Sequence, residues 1–271
     1  MSKAAPEEEL RMSFWNHLEE LRKRLVRSII WIGVGFSVCF YYSENFLKLL
    51  LWPMNMKLTV HSSFPFFSVI ANKVQQKLHY TTLIEPFWAH LKIGLIAGIM
   101  LVFPMIMYQV WKFIAPGLHP KERRYVGYFV FFSTAFFGMG VLFCYMLLLP
   151  FAIPFLLTYK TEDLIAIIKI GDYIDFVLKF LLASGVVFEL PLIIVLLSRM
   201  GIVNPDTLAK YRKYAFLASF ILGAILTPTP DVFNQTIMSI PIYLLYEAGI
   251  LAARLFGKKK KKPASTELME T

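Results

Sequence analysis

Acidic residues are scarce in this sequence: 18 Asp and Glu stand against 28 Lys and Arg in 271 residues, a formal net charge of +10. Charge of either sign is thin, at 17% of the chain, while 57% is hydrophobic and the mean hydropathy is +0.59. Soluble domains lie nearer roughly 45–50% apolar and about 25% charged, so this balance excludes an ordinary soluble globular domain. Cysteine is almost missing. The two present, Cys39 and Cys144, fall inside apolar runs, which excludes a disulfide framework and points to buried thiols acting as small hydrophobes. The five histidines, His17, His61, His79, His90 and His119, show neither HxxxH nor Cys-His spacing, so no metal or other cofactor is expected. Gly-rich phosphate loops and a GxSxG elbow are also lacking. An enzyme is therefore not expected, nor is a nucleic-acid partner, and ATP hydrolysis within this chain is excluded as an energy source.

What is present is a series of apolar blocks, at about 25–42, 91–111, 125–149, 173–197, 214–226 and 232–253. Crossing the hydrocarbon of a bilayer takes roughly 20 helical residues. Six transmembrane helices in an all-α integral membrane protein are the expected fold, divided by Pro53, the Pro116-Gly117 turn, Asn204-Pro205 and the TPTPD run at 227–231. The fifth block is too short for a full crossing, and the sixth opens on Asn234, Gln235 and Thr236, so both helices are expected to be short, the alternative being that boundary residues extend them beyond the apolar runs.

Basic residues cluster before the first block (Lys3, Arg11, Arg22, Lys23, Arg24, Arg27), in the second-to-third hairpin (Lys112, Lys121, Arg123, Arg124) and in the fourth-to-fifth (Arg199, Lys210, Arg212, Lys213). The tail adds Arg254 and the lysine run 258–262. The positive-inside rule then puts both termini in the cytoplasm. Residues 1–27 read as a retained cytoplasmic amphipathic segment, 28–256 as the transmembrane domain and 257–271 as a basic, disordered tail.

Three features stand out against this background. In SFWNHLEELRKRLVRS, Phe14, Leu18, Leu21 and Leu25 form an apolar stripe, while Glu19–Lys23 and Glu20–Arg24 are i,i+4 pairs of the favourable orientation. That is sufficient for an interfacial helix with a self-paired charged face. In FIAPGLHPKERR, the one acid of a basic hairpin, Glu122, follows Pro120 at a helix start, where the dipole alone favours a carboxylate by roughly 0.3–1 kcal/mol. In VVFELPLII, Glu189 sits mid-block two residues before Pro191; an intramembrane carboxyl is costly and marks a polar contact or a bonded neutral acid.

Taken in order, HLEELRKRL, FPMIMYQVWKFIAPGLHPKERR, FELPLII and LTPTPDVFNQ resemble the TatC family, the polytopic core of the twin-arginine protein translocase, over residues 13–256. The resemblance implies a concave, glove-like helical bundle in the bacterial cytoplasmic (inner) membrane. It implies a receptor for paired-arginine signal peptides of folded cargo, driven by the protonmotive force, with TatA- and TatB-type single-span partners and further copies of itself. It maps peptide binding onto Glu20, Arg22, Gln109, Phe113 and Glu122. Glu189 matches an intramembrane polar position, and Tyr145 and Asp231 match other positions of functional interest. Two departures stand outside the proposed arginine site: Glu85 precedes Pro86-Phe87 where a small polar residue is expected, and the TPTPD turn is one residue longer than the commonest form. A carboxylate pair suits guanidinium forks better than ammonium groups. An ion-coupled secondary transporter is the alternative, compatible with a mid-span Glu and proline-interrupted helices, though no repeat relates the two halves.

Overall fold

The structure is a computed structural model that describes residues 14–60, 67–71, 78–117, 126–158, 167–227 and 232–256. The chain divides into two compact units, Met1–Gly185 and Val186–Thr271. As expected, the architecture is all-α. Among the described residues the extended pairing is one short hairpin, Met56–Val60 with Phe67–Ala71, and a single bridge between His79 and Lys169. The hairpin lies in the long first loop and was not legible in the hydropathy.

In the first unit, α1 (Phe14–Tyr41) runs 28 residues, so the amphipathic segment and the first apolar block are one continuous helix. A short α2 (Ser43–Leu51) follows. The second block is split: α3 (Glu85–Leu101) and α4 (Phe103–Ile114) meet at a 53° bend at Val102. Pro104 explains the break, because its missing N–H and its ring interrupt the ladder at that turn. The third block is α5 (Val126–Phe143), a π-turn over Cys144–Leu148, and α6 (Leu149–Thr158). There the Leu149 N–H bonds the Cys144 carbonyl, one residue beyond α-helical register, just ahead of Pro150. Then comes α7 (Ile170–Val187).

Small residues let these helices close up. At the α1–α3 crossing, a Cβ on Gly98 would meet the Phe36 backbone N at 2.6 Å and the Gly35 carbonyl carbon at 2.7 Å. Two backbones in such contact are the usual way helices associate where no hydrophobic drive separates them from lipid. Elsewhere Phe103 stacks on Phe137 and Ser184 Oγ donates to the Gly140 carbonyl at 2.9 Å, joining α4 and α7 to α5. Both cysteines are free and buried.

The second unit holds α8 (Leu190–Arg199), α9 (Pro205–Lys210), α10 (Arg212–Leu226) and α11 (Val232–Phe256). Gly201, at φ +74°, ends α8 in the left-handed conformation that glycine adopts freely. Asn204 caps α9, its side chain accepting from the Asp206 N–H at 3.0 Å. Gly249 admits α11 against Pro191 and Ile194 of α8. Arg212 clamps α10 to α11, with Nε and Nη2 each 2.8 Å from a Glu247 carboxylate oxygen.

Among the described residues four helices are long and apolar enough to cross a membrane, or five if the bent α3–α4 pair is one span. As expected, α10 is short: its 15 residues cover about 22 Å against a core of about 30 Å. The expectation of a short sixth helix is corrected. α11 runs 25 residues, and Gln235–Phe256 alone is long enough to cross. Its polar start does not shorten it, because the polar groups find partners on the helix pair. Gln235 Nε2 donates to the Phe220 carbonyl of α10 at 3.0 Å, and the Thr236 and Ser239 hydroxyls donate to carbonyls one turn back.

Candidate functional site

The first half of α1 presents His17, Glu20 and Arg24 at spacings of three and four, hence on one face. That face meets α4, where Gln109 and Phe113 are also four apart. The contact has two levels. His17 stacks on Phe113 with ring centroids 4.4 Å apart and planes 16° from parallel. Two turns further along α1, Arg24 Nη1 approaches Gln109 Oε1 at 3.4 Å. α4 is held for this contact by the Val102 bend and by Trp111 stacked on Phe129 of α5 at 4.5 Å.

Glu20 belongs to the same cluster through Arg24. Arg24 Nη2 lies 2.7 Å from Glu20 Oε1, and the two side chains are only 13% and 18% exposed. The neighbouring Glu19–Lys23 pair has the same 2.7 Å separation but is 61% and 64% exposed. The two i,i+4 pairs legible in the sequence therefore differ in kind: one is a solvated surface pair, the other is withdrawn beside a buried Gln109. Arg22 lies on the exposed side of α1. Of the five residues expected to form a binding patch, Glu20, Gln109 and Phe113 share this junction, while Glu122 lies outside the described residues. His17 joins the junction unpredicted, and Arg24, expected only as the i,i+4 partner of Glu20, also reaches Gln109. The signal for both was available, since each falls on the Glu20 face of the HLEELRKRL helix.

The other candidates sit elsewhere. Glu189 is buried, 7% exposed, in the break between α7 and α8. Pro191 lacks the N–H that would continue the ladder to Val187, so the helix restarts with Glu189 at its head. Tyr145 lies in the π-turn; its hydroxyl donates to the Leu49 carbonyl at 2.8 Å and its ring stacks on Trp52. Tyr173 donates likewise to the Leu50 carbonyl at 2.7 Å. Both hydroxyls thus bond carbonyls in the last turn of α2, that of Leu49 accepting from the Trp52 N–H as well. Asp231 lies outside the described residues.

Two polar arrangements at the opposite end of the first unit's helices escaped the sequence reading. Glu85 accepts from the Thr81 N–H at 2.9 Å and from the Gly171 N–H at 3.1 Å, and so ties the start of α3 to the start of α7. Lys92 of α3 forms an ion pair with Asp175 of α7, its Nζ 2.7 and 2.8 Å from the two carboxylate oxygens. Among the described residues no cluster of His, Cys, Asp or Glu is arranged to hold a metal ion.

The sequence matches the family described as Sec-independent protein translocase protein (TatC) over residues 16–241. A TatC protein of Desulforapulum autotrophicum is 40% identical over 253 residues, covering 93% of this chain and 88% of that one. The TatC protein of Escherichia coli K12 is 37% identical over 247 residues, covering 91% and 90%. Among solved structures, the crystal structure of a twin-arginine translocase receptor, TatC, superposes with a TM-score of 0.74 at 34% identity, covering 88% of this chain and 98% of that one.

Proposed function

The chain belongs to the TatC family of Sec-independent protein translocase proteins, and on that premise we propose that it is the receptor and core subunit of a twin-arginine translocase. It binds paired-arginine signal peptides of folded cargo and is not itself an enzyme. The observation that carries this reading is the Glu20 carboxylate, less than a fifth exposed, at a junction where α1 and α4 also bring Gln109, His17 and Phe113 together. A withdrawn carboxylate flanked by a neutral amide and a stacked aromatic pair suits a planar guanidinium, which bonds both oxygens of a carboxylate and lies flat on rings. One charge-assisted bond of this kind contributes roughly 1.5–3 kcal/mol.

Glu122 is the second acid of the proposed patch and receives the neighbouring arginine. The net charge of +10 works with the two acids. A basic face repels a cationic segment unless its arginines land on the few carboxylates, so wrong sequences are disfavoured as well as right ones favoured. Both termini and the patch face the cytoplasm across a bacterial inner membrane, as the basic loops imply. Arg22 on the exposed side contacts the peptide beyond its arginines. Glu189 holds a partner helix by hydrogen bonding inside the membrane, with Asp231 and Tyr145 as further candidates. TatA- and TatB-type single-span proteins and further copies of this chain complete the machine, driven by the protonmotive force.

The test is capture of a paired-arginine peptide by the purified protein. Glu20→Ala and Glu122→Ala should each lower capture at least tenfold, about the worth of one such bond. A paired-lysine peptide should bind wild type comparably poorly. Equal capture in every case removes the receptor reading.

A further inference from the structure

We propose that Arg24 is a built-in competitor for the Glu20 carboxylate, and that this competition makes the site choose guanidinium over ammonium. The inference rests on the receptor reading above and concerns how that site is regulated. One fork of Arg24 touches two acceptors: Nη2 lies 2.7 Å from Glu20 Oε1, and Nη1 lies 3.4 Å from Gln109 Oε1. The first acceptor is charged and close; the second is neutral, buried and at the limit of bonding. Among the described residues Arg24 is the one partner of the Glu20 carboxylate, and it occupies a single oxygen.

A bare carboxylate attracts any cation through its charge. A carboxylate already neutralised offers an incoming peptide little net charge and instead offers lone pairs in a fixed geometry. A guanidinium can use them. It meets both oxygens as a planar fork while Arg24 moves its grip to Gln109 Oε1, which its other nitrogen already approaches. Glu20 keeps one cation throughout, so one guanidinium replaces another at constant charge, and the gain is the second directional bond. An ammonium is a point donor and cannot reproduce a fork-to-carboxylate contact. It therefore does not displace Arg24, and beside Arg24 it meets a neighbouring positive charge. Burial sharpens the difference, because water screens a pair that is less than a fifth exposed only weakly.

The experiment measures binding of two synthetic peptides, identical except for paired arginines or paired lysines, to the full-length protein in lipid nanodiscs. Arg24→Gln keeps a hydrogen-bonding amide and removes the charge. It should tighten the lysine peptide about tenfold or more, the worth of one charge-assisted bond, and so collapse the preference. Arg24→Lys keeps the charge and should preserve the preference. Equal weakening of both peptides in Arg24→Gln, or an unchanged preference, overturns the proposal; the former makes Arg24 a residue that only positions Glu20. Glu20→Gln separates the two levels. Wild-type capture of the arginine peptide by that variant sinks the receptor reading itself, whereas loss of capture together with an unchanged preference in Arg24→Gln sinks only the competitor. A measurement on the unaltered protein stands beside the variants. The ¹⁵N guanidinium resonances of Arg24, assigned by their loss in Arg24→Lys, should shift with the arginine peptide and stay in place with the lysine peptide. No shift with the arginine peptide overturns the proposal.

Discussion

Adding one methyl group at Gly98 and another at Gly33 should have opposite consequences, although both glycines lie within apolar helices. At Gly98 the new Cβ falls 2.6 Å from the Phe36 backbone N, 2.7 Å from the Gly35 carbonyl carbon and 2.9 Å from the Phe36 Cα. All three are backbone atoms, so no side chain can rotate aside, and α1 and α3 must separate along their crossing. Overpacking of this kind costs roughly 1–3 kcal/mol. At Gly33 the added Cβ meets nothing within 4 Å. Both substitutions gain the same helix propensity, about 1 kcal/mol from glycine to alanine, so the difference between them isolates the clash. Gly33→Ala should therefore be the more stable of the two by about 1–3 kcal/mol, which for a chain of this size corresponds to roughly 2–12 °C in melting temperature. Thermal unfolding of the detergent-purified variants, followed by the loss of the monodisperse peak in size exclusion, reads that difference. Coincident melting temperatures, or a higher one for Gly98→Ala, would refute the backbone-contact argument.

Two further substitutions probe the polar contacts among the helices. Tyr173→Phe removes the hydroxyl that meets the Leu50 carbonyl and should cost about 0.5–1.5 kcal/mol, with Tyr145→Phe costing less because its bond to Leu49 is more exposed; the ranking is checked in the same melting assay. Lys92→Met and Asp175→Asn should each destabilise the first unit, and the double variant should recover part of the loss. A thermodynamic cycle with no coupling between the two sites would remove the ion pair from the account of stability.

Hydropathy located the long helices well because the membrane imposes their length, and α1, α5 to α6 and α7 to α8 cover the runs expected of them. It was blind to direction. The 91–111 block is apolar on average, and the 53° turn inside it is set by Pro104 and by packing, neither of which alters a windowed average. It also misjudged α11, where Gln235 and Thr236 looked like an end and instead are helical residues bonded to α10 and to their own preceding turn. Glu20, Gln109 and Phe113 were nameable only through the family motifs, since local physics explained Glu20 fully as half of a surface pair. The pairing itself was legible at i,i+4 spacing, but its withdrawal from water depends on α4, more than eighty residues away. Lys92 and Asp175 were passed over for the same reason. Each alone reads as a charge near a span boundary, and only the fold sets them against each other.

That ion pair carries a consequence for how the protein is made. Lys92 leaves the ribosome 83 residues ahead of Asp175, a lag of roughly 4–17 s at 5–20 residues per second. During that interval α3 can already be delivered to the bilayer with its ammonium about 10 Å in from the helix start and no carboxylate to meet it. Leaving a lysine within the apolar layer costs an inserting helix up to about 2.5–3.5 kcal/mol at mid-depth. A lysine so placed is expected to reach outward to the aqueous boundary until α7 brings the carboxylate to it. The contact between α3 and α7 therefore can close only after both helices have been made, which ties the neutralisation of one span to the arrival of another.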